Sequence, residues 1–344
     1  MKIGPAELNK YDFEFPTELI AQKPAQPRDS ARLLIYDRKT RKIHSDIFRN
    51  IGKYLPSKSL LVLNQTKVIP ARLKFRKKTG GRVWGLYLNF SGGKLGFLMD
   101  RKVSPGEVLT AGESFKFEVV GKAGKEYFLK PLFGKNKFLS VLREYGQTPI
   151  PPYIKHSPLK ERELRREYQT VFARIPGSVA APTASLHFTR KLLNDLRKRG
   201  HEICFTTLHV NLGTFAPVTE ENIKSGKLHR EQYSVSAVAA RKINKAHRAG
   251  RKIIAVGTTV VRVLETGAEN GKIAAQTGLT DLFVRPGYKF KIVDGLITNF
   301  HVPRSSLLML VAALSSRREI LKIYGYAIEN GFRLFSFGDG MFIM

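Results

Sequence analysis

At 344 residues with 42% hydrophobic side chains, the chain has ample apolar content to close a core, which excludes a disordered polypeptide. Lys and Arg number 59 against 28 Asp and Glu, a formal charge of +31, and an excess of that size on a folded protein points to a polyanionic partner, nucleic acid first. The single cysteine, Cys204, excludes an internal disulfide and a cysteine-clustered metal site; no apolar run approaches the roughly 20 residues that span a bilayer, and the N-terminal residues lack a signal-peptide core, so a cytoplasmic protein with no membrane contact is expected.

In chain order, Tyr11 to Pro27 reads as extended with a short helical turn near Pro16 to Ile20. Leu33 to Tyr36 and Leu60 to Leu63 are continuous apolar runs, as expected of buried strands in one sheet. From Lys74 to Gln147 the texture changes. Short β-rich pieces (Val83 to Phe90, Lys94 to Met99, Ser114 to Val120, Tyr127 to Leu132) alternate with glycine-containing turns, which predicts a small β-barrel inserted at 74–147 into a main domain of 1–73 and 148–344. The prolines of Thr148 to Tyr153 stiffen the boundary.

Beyond it, helix and strand alternate, which favours a mixed, layered α/β architecture. Arg174 to Thr189 is a loop rich in donors: Pro176, Gly177 and Pro182 break regular structure, while Ser178, Thr183, Ser185 and Thr189 offer hydroxyls next to His187. Thr189 caps a helix carrying Leu192, Leu193 and Leu196 and ending at Gly200. Ile203 to Leu212 is a strand whose period-two alternation sets Thr207, His209 and Asn211 on one, more polar, face before Gly213-Thr214. A helix from Ser236 to His247 leads to a strand, Lys252 to Val256, and Gly257-Thr258-Thr259 then forms a βα turn whose amides and hydroxyls suit a carboxylate or phosphate. Asp294-Gly295 is expected to join Tyr288 to Val293 and Leu296 to Phe300 as a hairpin, placing Asn299 and His301 at its far end; two helices follow, about Ser306 to Leu314 and Arg318 to Asn330.

Several stretches, in this order, carry a specific resemblance: PRDSARLLIYDR at Pro27 to Arg38, LVLNQTKVIPARL at Leu61 to Leu73, IPGSVAAPTASLHFT at Ile175 to Thr189, LHVNLGTFAPV at Leu208 to Val218, IIAVGTTVVRVLET at Ile253 to Thr266, PGYKFKIVDGLITNFHVPRSSLLMLV at Pro286 to Val311 and FSFGDGMFI at Phe335 to Ile343. Together they resemble the S-adenosylmethionine:tRNA ribosyltransferase-isomerases of queuosine biosynthesis, nearly end to end. The resemblance implies transfer and isomerisation of the ribosyl part of S-adenosylmethionine onto 7-aminomethyl-7-deazaguanine at the anticodon wobble position of tRNA, giving epoxyqueuosine with release of adenine and methionine. It implies S-adenosylmethionine as cosubstrate and tRNA as partner; no metal is expected, because no Cys/His cluster stands at ligand spacing, and a monomer is expected. The sulfonium would acidify the adjacent ribose carbon, so that a base could form an ylide that attacks the modified base.

Histidine suits acid/base work near neutral pH; three of the eight histidines, His187, His209 and His301, fall within these stretches, and a fourth, His229, keeps a family-like His-x-Glu spacing with Glu231. His209, His229 with Glu231 two residues on, and His187 are the catalytic candidates. Gly257, Thr258, Thr259 and Arg262 are candidates for the methionine carboxylate, and Ser178, Thr183, Asp294, Asn299 and His301 for ribose or adenine. Lys77, Lys78, Arg82, Arg165 and Arg166 represent the basic runs expected to meet tRNA. Gln65, Ser185, Asn211, Val260 and Arg285 depart from the family's wording; Gln65 removes a carboxylate and Val260 a hydroxyl. A non-catalytic RNA-binding protein, marked by steep salt dependence alone, and an ordinary methyltransferase, marked by S-adenosylhomocysteine, are the alternatives; the lack of an early glycine-rich βα fingerprint weighs against the second.

Overall fold

A computed structural model describes residues 5–211 and 218–344. Its centre is a nine-stranded sheet in the order Gln276–Leu282, Lys227–Val235, Glu202–Leu208, Leu60–Asn64, Ile253–Val256, Gly295–Asn299, Gly340–Ile343, Arg32–Tyr36 and Ile43–Ile47. Glu202–Leu208, Leu60–Asn64, Ile253–Val256 and Gly295–Asn299 run parallel. Their near-continuous apolar sequences follow from burial on both faces, since one core packs Val62, Ala255 and Leu296 against helices on one side and another packs Leu61, Ile254 and Ile297 on the opposite side.

The expected barrel is closed, with strands ordered Glu126–Pro131, Lys94–Met99, Arg82–Ser91, Arg72–Lys77, Val108–Ala111 and Phe115–Ala123. Phe75, Phe97 and Phe117 meet edge-to-face in its core, with centroids 5.4 to 6.5 Å apart, and Phe138 of the helix Phe138–Tyr145 packs against Phe97 and Phe117. Gly85 is required there, because a Cβ would come within 2.7 Å of the Phe75 ring. Together, barrel and sheet make the mixed α/β class expected from the sequence.

Local signals set several ends as expected. Thr189 Oγ1 accepts the amide of Leu192 and starts the helix Arg190–Lys198, while Ser236 caps Ala237–Arg248 in the same way. The hairpin predicted around Asp294-Gly295 does not form. Glu265 takes the amides of Lys291 (2.8 Å), Ile292 (3.2 Å) and Val293 (3.0 Å) on its buried carboxylate, so this segment has no ladder to offer a partner strand. Gly295–Asn299 instead lies between Ile253–Val256 and the last strand, Gly340–Ile343. Among the described residues no helix is long and apolar enough to cross a membrane.

Candidate active site

The parallel strands end together at Asn64, Leu208, Val256 and Asn299, and the loops beyond these ends enclose a cavity of about 560 Å³, within the roughly 300–1,000 Å³ typical of small-molecule sites. From Leu60–Asn64 the chain crosses to Glu202–Leu208 on one side and later returns to Ile253–Val256 on the other. Such a reversal of strand order opens a crevice at the carboxyl ends. The buried Asn64 holds it together. Its Nδ2 donates to Leu208 O (3.0 Å) and Thr259 Oγ1 (3.3 Å), and its Oδ1 accepts the amides of Thr66 and Leu208, both at 3.1 Å.

One wall is the βα turn. Gly257, at φ 94°, adopts a backbone that only glycine takes without strain, and its amide donates to Ile297 O (2.8 Å). The helix Thr258–Gly267 begins there with no side-chain cap, and Thr258 and Thr259 of its first turn line the cavity at the positive end of the helix dipole. Thr183 lies on the opposing loop, and Asn299 and His301 line the floor. Arg304 at the mouth is the single lysine, arginine or carboxylate side chain on the cavity wall among the described residues; it is 58% exposed and meets Asp12 at 3.6 Å. Burial pushes the pKa of the Tyr153 phenol up to about 12, against the opposing effect of its contact with Ser336 Oγ (2.6 Å), and leaves it protonated.

The histidines separate. His301 lines the cavity, its Nε2 3.0 Å from Thr298 Oγ1, and burial pushes its pKa down to about 3, so the ring is neutral. His187 lies one side chain behind the wall. Its Nε2–H donates to Asn299 Oδ1 (3.1 Å), its ring packs on Phe48 at 4.6 Å, and burial lowers its pKa to about 4. It supports the floor through Asn299 and is not among the residues that line the cavity. His209 faces away from the cavity, against Thr66 Oγ1 (2.8 Å) and Gly177, with its pKa lowered by burial. The Leu212 and Gly213-Thr214 expected beside it lie outside the described residues.

Other sequence candidates are also redirected. His229 is exposed, and Glu231, two residues on, is buried in an ion pair with Arg262 while accepting the Asn211 amide (3.0 Å). Arg262 donates further to Thr280 O and Leu282 O, which engages its guanidinium at the sheet edge, and it is not among the residues that line the cavity. Ser178 fastens the loop from below, giving its proton to Ala180 O (2.7 Å) and accepting Val210 N–H (2.9 Å). Asp294 lies at the opposite end of the sheet, accepting Ile253 N–H (2.9 Å) and pairing with Lys252 (2.8 Å). Lys77 pairs with Glu107, Arg165 with Glu161 and Arg166 with Glu167, whereas Lys78 and Arg82 are exposed on the barrel.

The cavity thus gathers Thr183, Gly257, Thr258, Thr259, Asn299 and His301 from the sequence candidates. It adds Tyr153 and Arg304, with Asn64 behind the wall holding Thr259; the sequence singled out none of the three, although Asn64 and Arg304 stand inside shared motifs. Among the departures from the family wording, Val260 is core, Arg285 donates to Ile223 O (3.3 Å) and Gln65 to Thr207 Oγ1 (3.4 Å); nothing in the structure explains Ser185. Among the described residues no three His, Cys, Asp or Glu side chains converge to hold a metal ion.

The profile of the queuosine biosynthesis protein family matches residues 8–343. An S-adenosylmethionine:tRNA ribosyltransferase-isomerase from Carboxydothermus hydrogenoformans is 46% identical over 98% of this chain and 100% of its own length, and one from a Thermoanaerobacter species is 44% identical over 98% and 99%. The crystal structure of an S-adenosylmethionine tRNA ribosyltransferase from Thermotoga maritima superposes with a TM-score of 0.57 at 34% identity, covering 97% of this chain and all of that one. With a cavity where a doubly crossed sheet puts one and relatives matched from end to end, this chain belongs to the queuosine biosynthesis protein family.

Proposed function

We propose that this chain is an S-adenosylmethionine:tRNA ribosyltransferase-isomerase, moving and isomerising the ribosyl part of S-adenosylmethionine onto 7-aminomethyl-7-deazaguanine at the tRNA wobble position. The observation that carries the reading is the cavity's division of labour. Its largely apolar wall accepts a nucleoside, the Thr258 and Thr259 amides and Arg304 provide positive ends for a carboxylate, and no carboxylate among the described residues lines it to trap the sulfonium in a competing ion pair.

In this arrangement the methionine carboxylate meets Arg304 and the helix start, and Thr183, Asn299 and neutral His301 hydrogen-bond the ribose and adenine. Asn64 positions Thr259 for that contact. The sulfonium acidifies the ribose carbon beside it; loss of that proton opens the ribose ring and expels adenine, leaving a vinyl sulfonium and an aldehyde, the aminomethyl nitrogen adds to the vinyl carbon, the ylide so formed closes on the aldehyde, and the resulting alkoxide displaces methionine to give the epoxide. The barrel, 74–147, is an inserted domain on a catalytic domain of 1–73 and 148–344, and the enzyme acts as a cytoplasmic monomer. Tracing ribose carbon label tests the transfer. Label from S-adenosylmethionine should enter the tRNA fraction, whereas label confined to small molecules, or a methyl label on tRNA, would overturn it.

A further inference from the structure

We propose that the outward face of the barrel formed by Arg72, Lys74, Arg76, Arg82 and Lys116 holds the sugar–phosphate backbone of the RNA whose reacting base enters the cavity, an inference that rests on the function proposed above. Along Arg72–Lys77, Leu73 and Phe75 enter the core, so period-two alternation turns Arg72, Lys74 and Arg76 outward. The register then assembles cations from different strands. Arg76 stands opposite Arg82 on one side and Thr110 on the other, and Thr110 stands opposite Lys116, giving one row across four strands.

This row has no internal counterweight. Among the described residues none of the five cations has a carboxylate within 4 Å, whereas the neighbouring Lys77 is neutralised by Glu107 at 3.1 Å. Like charges directly opposite destabilise a sheet, so the Arg76–Arg82 juxtaposition is unfavourable to the free protein and is relieved by a bound polyanion. Trp84, opposite Lys74, lies under Arg72 (4.9 Å) and Lys74 (5.7 Å) and holds both heads in place.

Position links the face to the chemistry. The strand leaves the main sheet through Ile69, whose amide donates to Ser178 O (2.9 Å), and Ser178 opens the loop whose Ala180 to Ala184 line the cavity. Backbone phosphates flanking a base inserted in the cavity would therefore run outward along this strand. RNA is chosen over an acidic protein because cations repeated at the regular spacing of the strands, with one aromatic ring among them, suit a phosphate chain.

Trp84 is the only tryptophan, so its fluorescence reports on this face directly. The probe is an anticodon stem-loop RNA. Saturating RNA should shift the emission, and Arg76→Glu with Arg82→Glu should raise KM for tRNA at least about tenfold and flatten the salt slope by roughly 0.7 to 0.9 per lost contact, with KM for S-adenosylmethionine unchanged. Arg241→Glu with Lys245→Glu, the same change of charge on an exposed helix face, should leave KM for tRNA near wild type. The single variant Arg76→Gln should raise the thermal midpoint while weakening RNA binding, which a purely structural role would not do. An active wild-type enzyme with an unmoved tryptophan signal, or equal effects of the two charge-reversed pairs, overturns the inference; a wild-type protein that binds RNA here without turnover overturns the proposed function instead.

Discussion

His187 donates from Nε2 to Oδ1 of Asn299 at 3.1 Å, so the histidine that stands in the donor-rich loop Arg174 to Thr189 touches the cavity only through another side chain. The amide of Asn299 passes the constraint on to Phe335 O and Ser336 O, which places the cavity floor under control of a buried ring. Its folded pKa, about 4, lies below the ordinary 6.5 because burial disfavours the cation. Between those values the unfolded chain binds the proton and the folded chain does not, so stability rises with pH across this window and is lost as pH falls through it. His301, shifted in the same direction to about 3, adds to the trend. The thermal midpoint should therefore drop between about pH 6.5 and pH 4, and His187→Gln should flatten that drop; an unchanged slope would show that His187 is not held neutral.

The Glu231–Arg262 pair makes a separate stability prediction, because each charge is buried with the other as its counterion. Arg262→Ala strands the carboxylate and should cost about 3–5 kcal/mol in denaturant unfolding. Replacing both, Glu231→Leu with Arg262→Met, should recover much of that loss. A double variant as unstable as the sum of the two singles would mean that the residues do not act as a pair.

Arg304 is assigned to the methionine carboxylate. A charge-assisted hydrogen bond is worth about 1.5–3 kcal/mol, so Arg304→Ala should raise KM for S-adenosylmethionine roughly 10- to 100-fold, with partial recovery in Arg304→Lys and little change in KM for tRNA. Loss of tRNA affinity in place of cosubstrate affinity would move Arg304 to the RNA side of the site.

Among the histidines, His301→Ala should raise KM for S-adenosylmethionine with the thermal midpoint unchanged above about pH 7, where the ring is neutral folded or unfolded, since it lines the cavity and shares one side-chain hydrogen bond with Thr298. His44→Ala, on the strand Ile43–Ile47 at the sheet edge, serves as the silent control. Equal kinetics for the two variants would remove His301 from the site.

What the sequence made legible is what local patterning determines. Leu60 to Leu63 and Ile253 to Val256 are apolar without interruption because both faces are covered, and the glycine-punctuated pieces after Lys74 close as a barrel because alternation puts Phe75, Phe97 and Phe117 inside. The Gly257 turn was readable for the same reason, since strand, glycine and helix are adjacent in the chain. Long-range capture of polar groups was not readable. The Tyr288 to Val293 segment looks like a strand until Glu265 claims its amides, and Asp294-Gly295 looks like a hairpin turn until its carboxylate caps Ile253. Likewise, Glu231 follows His229 at a spacing that suggests a dyad, yet it turns inward to Arg262, a residue 31 positions away. His187 and His301 occupy comparable polar motifs, and only packing decides that one supports the cavity and the other lines it.

The most direct measurement of the central claim is product stoichiometry with the purified protein, S-adenosylmethionine and tRNA bearing 7-aminomethyl-7-deazaguanine. Adenine and methionine should appear in a one-to-one ratio, and neither should form when the modified base is replaced by guanine. S-adenosylhomocysteine as the product, or adenine release that does not depend on the modified tRNA, would contradict the account.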